Sequence, residues 1–266
     1  MSPQLRLNKL LADRGVAARR KCDGLIADGQ VKVDGEVVQE PGARVDPELQ
    51  KVTVGGRPLP ELEPRVYYAL HKPVGVLTTL SDPAGRRTVR EFLPARGPRV
   101  FPVGRLDGDT SGLLLVTSDG ALAHRLMHPR YEIPKTYWLS LASPPTPRQL
   151  AQLGLGVEFA PGETSRSAQV EVVKRMGEGT VVSLTLCEGR NRQVRRMCEA
   201  VGVELLALER VRVGPVELGD QPAGTLRRLT REEVAALRRA VAGPPPPPPS
   251  RGRVTPGPRR RFPRPG

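Results

Sequence analysis

The segment Gly104 to Gly120, GRLDGDTSGLLLVTSDG, sets one carboxylate, Asp107, in a glycine-bracketed turn between a basic residue, Arg105, and a fully apolar run. A carboxylate at the lip of a rigid element can serve as nucleophile or base. Leu113, Leu114, Leu115 and Val116 read as a strand buried on both faces. Gly108 and Gly112 suit a backbone that bends sharply or lets a ligand come close. A plain hairpin turn fits the same residues, since Asp-Gly and Asp-Thr-Ser-Gly favour turns whether or not they do chemistry. A calcium loop does not fit. Asp107, Asp109, Ser111 and Gly112 occupy its first, third, fifth and sixth positions, but Ser118 stands where the closing glutamate belongs, and leucines fill the gap.

Two further segments carry candidate chemistry. Pro134 to Trp138, PKTYW, leads into an apolar strand, and Glu188 to Gly202, EGRNRQVRRMCEAVG, has helical periodicity. In the second, Val194, Met197, Cys198 and Val201 form a buried stripe, while Arg192, Arg195 and Arg196 share an adjacent, more polar face. For Arg192 and Arg196 a solvated surface charge is an equal reading.

Taken together, the three segments resemble the pseudouridine synthases that carry a GRLD motif, in the branch of the bacterial small-subunit and large-subunit rRNA enzymes. The resemblance implies that Asp107 is the essential catalytic residue and that Arg195 pairs with it. It also implies that Tyr137 stacks on the uracil and helps remove the proton from C5, and that Arg105 holds or replaces an everted nucleotide. The trio is physically sensible. A carboxylate that must stay ionised in a closed pocket needs a nearby cation, because burial alone disfavours the charged form. At ~4 Å and an effective dielectric near ~20 the attraction is roughly 4 kcal/mol before desolvation.

The implied reaction needs neither cofactor nor metal. A uridine in RNA is everted at a cost of a few kcal/mol, its N-glycosidic bond breaks, the uracil turns, and a carbon-carbon bond to C5 replaces the nitrogen link. Residue types leave open whether Asp107 attacks the sugar carbon, attacks the base, or removes a sugar proton. HKPVGVLTTLSDPAGRRTV, HPRYEIPKTY and GRNRQVRRM resemble the large-subunit branch more than the small-subunit one, which favours 23S over 16S rRNA. A 16S enzyme of the same family is the alternative. From a different class comes a non-catalytic ribosome-assembly protein that binds RNA, although a pure binder has no need of Asp107, Tyr137 and Arg195 together.

Composition points to a polyanionic partner. Lys and Arg total 42 against 28 Asp and Glu, a net charge of +14, which predicts phosphate contacts and a steep salt dependence. Ribosomal RNA is the expected partner, free or in a pre-ribosomal particle. Aromatic residues make up only 3%, so a stacking platform of the single-strand-binding kind is not expected. Cys22, Cys187 and Cys198 lack metal spacing and read as reduced cysteines. His124 and His128 have no third ligand near them in sequence. No apolar stretch approaches a membrane span, and Arg6 and Lys9 interrupt any signal-peptide core. The expectation is a cytoplasmic monomer.

The chain divides by pattern into three parts. Residues 4–60 should hold two short helices, built on Leu7, Leu10 and Leu11 and on Cys22, Leu25 and Ile26, then a hairpin around Asp34 and Gly35. This stretch resembles the S4 RNA-binding domain, with Arg6, Lys9, Arg14, Arg19, Arg20, Lys21 and Lys32 as its RNA-contacting candidates. A linker marked by Pro58, Pro60 and Pro64 follows. Residues 65–243 alternate strand runs with helices expected near Ala121, Pro147, Asn191 and Thr230, which argues an α+β class with a mixed, largely antiparallel sheet. The resemblance sharpens this to the pseudouridine synthase fold with its bent sheet. Residues 244–266, rich in proline and arginine, are expected to be a disordered tail.

Overall fold

The computed structural model describes residues 4–176 and 179–243; the tail expected over 244–266 lies outside the described residues. The N-terminal part builds its own core from Leu7, Leu11, Cys22, Ile26, Val31 and Val45. Helices α1 (Leu7–Asp13) and α2 (Arg19–Ala27) pack on a small antiparallel sheet. Its strands are β1 (Val31–Val33), β2 (Glu36–Val37), β3 (Val52–Val54) and β4 (Arg57–Pro58), in the order β2-β1-β3-β4. Asp34 and Gly35 form the hairpin turn with φ of 52° and 91°, the left-handed pair that a tight two-residue turn requires. The sequence pattern anticipates the helices and this hairpin but not β3 and β4. Pro58, expected in a linker, is an edge-strand residue, the position in a sheet where a missing N–H leaves no neighbour unpaired.

The larger part is a mixed sheet. Its main strands are β5 (Tyr67–Lys72), β6 (Ser111–Thr117), β7 (Lys135–Leu141), β8 (Gln169–Met176), β9 (Gly179–Leu186), β10 (Leu205–Val213) and β11 (Leu226–Arg228), in the order β8-β9-β7-β10-β6-β5-β11. Every neighbouring pair along this path is antiparallel except β10 with β6, which run parallel. Helices α3 (Gly120–Met127), α4 (Pro147–Leu155), α5 (Gln193–Val201) and α6 (Arg231–Ala240) cover it.

Strand β6 shows why the apolar run matters. Leu113 and Leu115 enter the core under α3 and α6, while Leu114 and Val116 enter the core on the opposite face. Each fully buried leucine contributes about 1.5–3 kcal/mol, so this strand is anchored from both sides. It fixes the loop that precedes it. A third core holds Leu139, Leu141, Leu153, Val182, Leu184 and Met197, joining α4 and α5 to the other half of the sheet. The halves meet at the parallel β6/β10 junction. There Gly112, at φ +107°, lies so close to β10 that a Cβ would run into the Arg210 backbone. Only glycine combines that φ with that approach.

Candidate active site

The GRLD loop is held from behind. Leu106 is buried, its N–H donates to Thr78 Oγ1 at 3.1 Å, and the Thr78 hydroxyl donates back to the Leu106 carbonyl at 2.7 Å. Asp107 opens a tight turn closed by the Thr110 N–H on the Asp107 carbonyl at 3.1 Å, and the Gly75 N–H binds the Gly108 carbonyl at 2.7 Å. Beneath the turn, fully buried Lys72 donates Nζ to the carbonyls of Pro73 and Val76 at 2.9 and 2.8 Å. Burial pushes its pKa down to about 8 against the pull of Asp109 and Asp107.

Helix α5 supplies the arginines. Val194, Met197 and Cys198 bury its inner face, and burial pushes the Cys198 thiol up to about 12. Arg192, expected on the helix, instead precedes it with a left-handed backbone (φ 48°, ψ 29°), a conformation that is uncommon for a residue with a side chain. Its guanidinium reaches Asp109 at 3.1 Å. Arg195, expected to pair with Asp107, also goes to Asp109. Nη2 donates to the Asp109 carbonyl at 2.8 Å, and Nε lies 3.3 Å from Oδ2 as an ion pair without hydrogen-bond alignment. The reason is local: Asp109 is the second central residue of the turn and is the acid held by the first turn of α5. Burial tends to raise the Asp109 pKa, but the Arg192 hydrogen bond and the charges of Arg195 and Arg192 outweigh it and hold the carboxyl below its ordinary range.

These elements enclose a cleft of about 860 Å³ lined by Asp107, Tyr137 and Arg195 together with Arg105, Arg192, Lys135, Arg190 and Arg210. Asp107 and Tyr137 are half-buried, whereas Arg105 is exposed at the mouth. Tyr137 on β7 lies directly across from Arg210 on β10, and Arg210 is in turn the neighbour of Gly112 on β6. Gln193 ties the rim together by accepting the Arg190 N–H at 2.9 Å and donating to Glu188.

The other candidates are dispersed. Arg196 points away from the cleft onto a hairpin of Glu158–Ala160 and Glu163–Thr164, 4.6 Å from the Phe159 ring centroid and 3.4 Å from Glu163. Lys9, Arg14 and Arg19 line a second cleft of about 810 Å³ between the N-terminal part and the sheet, facing Arg65, Arg99, Arg125 and Arg130. Arg6, Arg20, Lys21 and Lys32 are exposed elsewhere on the N-terminal part. The rings of His124 and His128 lie 5.5 Å apart. No helix among the described residues is long and apolar enough to cross a membrane.

Lys135 and Arg210 were not singled out from sequence. Strand parity carried the signal: Lys135 shares the inward side of β7 with Tyr137, Leu139 and Leu141, and Arg210 the inward side of β10 with Leu208. A cation at an apolar position is conspicuous once alternation is tracked.

Known proteins resemble this chain along most of its length. Residues 66–200 match the family model described as RNA pseudouridylate synthase, and residues 5–51 match the S4 domain. A Bacillus subtilis protein named ribosomal large subunit pseudouridine synthase B is 43% identical over 88% of this chain and 95% of its own. An Aquifex aeolicus protein named as an uncharacterized RNA pseudouridine synthase is 40% identical over 90% and 95%. A solved structure described as a pseudouridylate synthase superposes with a TM-score of 0.63 at 31% identity, covering 88% of this chain and 99% of the other.

Proposed function

The chain belongs to the RNA pseudouridylate synthase family and carries an S4 domain, and on that footing we propose that it converts one uridine of 23S rRNA to pseudouridine with Asp107 as its catalytic carboxylate. The observation that carries the reading is convergence: Asp107, Tyr137 and Arg195, from three separate segments, line one cleft. The large-subunit choice rests on the relative named for that subunit. Residues 4–60 act as the docking unit on RNA and residues 65–243 as the catalytic unit, in a cytoplasmic monomer.

In this mechanism the target nucleotide is everted into the cleft. Exposed Arg105 and Arg192 hold the RNA backbone at the rim, and the Tyr137 ring stacks on the uracil. Asp107, fixed by Thr78 and the turn, faces the ribose and base. Arg195 sets the position of the turn through Asp109. The C1′–N1 bond breaks, the uracil turns, C5 bonds to C1′, and Tyr137 assists as the C5 proton leaves. Proximity and fixed charge supply the acceleration.

The test is a pseudouridine map of both ribosomal RNAs from cells with and without this gene. One 23S position should lose its pseudouridine. Loss at a 16S site would overturn the subunit choice, and identical maps would overturn the reading itself.

A further inference from the structure

Two cations on the floor of the cleft stand apart from the arginines at its rim. Arg210 is 4% exposed, its Nε donates to the Leu113 carbonyl at 2.8 Å, and among the described residues no carboxylate pairs with it. Lys135, two residues before Tyr137 on the same side of β7, donates Nζ to the Ile133 carbonyl at 3.0 Å and likewise has no carboxylate partner among the described residues. Both line the cleft beside Tyr137. Burial, reinforced by the Arg210 charge, lowers the Lys135 pKa, and the same guanidinium also repels Lys72. The rim differs in kind, since Arg105 there is exposed to water and its other arginines are paired. Arg192 and Arg195 there are matched by Asp109, and Arg190 by Glu188 and Glu163.

A guanidinium out of water without a counter-charge is costly to keep. It is useful where negative charge develops on a bound group, because a fixed cation in a water-poor site stabilises that charge without reorganising.

Building on the function proposed above, we propose that Lys135 and Arg210 form a cationic cradle for the uracil, binding its carbonyl oxygens as the ring takes on negative charge. The electron balance is the same for each role open to Asp107. If the carboxylate bonds to C1′, or removes a sugar proton, the electron pair of the C1′–N1 bond leaves with the base and spreads over N1, O2 and O4. If it adds to the ring, the charge falls on O4. When C5 then bonds to C1′, Asp107 is released from its covalent bond or, if it removed a sugar proton, returns that proton to the sugar carbon; the C5 proton departs and N1 takes up a proton, so the product is an isomer and the charge on the ring is discharged. A phosphate is the other anion at hand. The cradle lies on the floor beside the tyrosine that stacks on the base, whereas exposed Arg105 and Arg192 meet the backbone at the mouth.

The experiment compares wild type, Arg210→Met, Arg210→Lys and Lys135→Met on an rRNA fragment carrying either uridine or 5-fluorouridine at the modified position. Single-turnover loss of the target nucleoside gives the rate, and a filter-binding titration gives RNA affinity. Arg210→Met should slow uridine conversion by about 10²- to 10³-fold, as for loss of one preorganised donor, with RNA affinity unchanged within about threefold. Arg210→Lys should recover part of the rate. Fluorine stabilises negative charge on the detached ring, so each defect should shrink severalfold on 5-fluorouridine, a response that a purely structural role of Arg210 would not give. Equal defects on both RNAs, or weakened binding at an unchanged rate, would overturn the cradle. Should Arg210→Met fail to fold, Lys135→Met and Arg210→Lys decide by the same comparison. A wild-type enzyme that converts no uridine would instead refute the function on which the cradle rests.

Discussion

Replacing Gly112 with alanine tests the junction on which the whole cleft depends. At φ +107° an alanine backbone is strained whatever the surrounding space, and the new Cβ would run into the Arg210 main chain. Strain of this kind costs about 1–3 kcal/mol, and forcing an atom into a packed site costs about 1–3 kcal/mol more. The rigid neighbour is backbone rather than a side chain that can swing aside, so the sum should fall near about 3–5 kcal/mol. For a domain of this size that lowers Tm by roughly 6–20 °C. Gly85→Ala is the control, since Gly85 has φ +69° but nothing within 4 Å of the added Cβ. It should pay strain alone, about 1–2 kcal/mol. Thermal unfolding by circular dichroism reads both, and single-turnover pseudouridine formation reports whether Asp107 and Arg210 keep their relation across β6 and β10. A Gly112→Ala protein that melts within a degree of the Gly85→Ala control would refute the close approach argued here.

Three other perturbations address the charges. Asp109→Ala should leave the fold within about 1 kcal/mol of wild type, because Asp109 and Arg192 are exposed, yet slow the reaction about 10- to 100-fold by removing the carboxylate that pairs with Arg192 and Arg195, even though Arg195 keeps its hydrogen bond to the main-chain carbonyl at this position. Since the Asp109 carboxyl is held below its ordinary range, the charged part of this clamp persists at neutral pH and is lost only as pH falls below the ordinary carboxylate range; full activity of Asp109→Ala in a tritium-release assay would count against it. Lys72 gives an alkaline signature. With its pKa at about 8 against an ordinary 10.5, the unfolded chain binds more protons between those values, so the stability of wild type relative to Lys72→Met should rise from about pH 8 to about pH 10.5. Urea titrations across that window check the sign, and a flat or falling difference contradicts it. Changing Arg20, Lys21 and Lys32 together to alanine should weaken binding of unrelated RNA fragments alike and reduce the salt slope by about one per lost phosphate contact; an unchanged slope would remove these residues from the RNA interface.

Much of the fold could be read from the chain because its strong elements bury one clear pattern. The run Leu113 to Val116 has no polar position, and it became the strand that feeds two cores. The stripe of Val194, Met197 and Cys198 became the inner face of α5. Short edge strands such as Arg57–Pro58 escaped notice, because two residues carry no periodicity and only pairing with Val52–Val54 defines them. The partner of Arg195 was also hidden. Asp107 and Asp109 stand two apart in one turn, and which of them meets α5 depends on backbone dihedrals that residue types do not encode. Arg192 lies outside the helix for a related reason, as its left-handed backbone makes α5 begin at Gln193, two residues after Asn191. The floor cations needed the register: Arg210 is beside Tyr137 only because β10 pairs with β7 as it does.

The most direct test of the account is Asp107→Asn. The substitution keeps size and shape but removes the charge and the nucleophilic oxygen, leaving Thr78, the turn and the Asp109 clamp in place. Tritium release from C5-labelled uridine in 23S rRNA, measured with chelator present and no added nucleotide, should fall to background, while the melting temperature and the affinity for the same RNA stay near wild type. Tritium release at the wild-type rate from the Asp107→Asn protein would contradict the claim that this carboxylate carries the reaction.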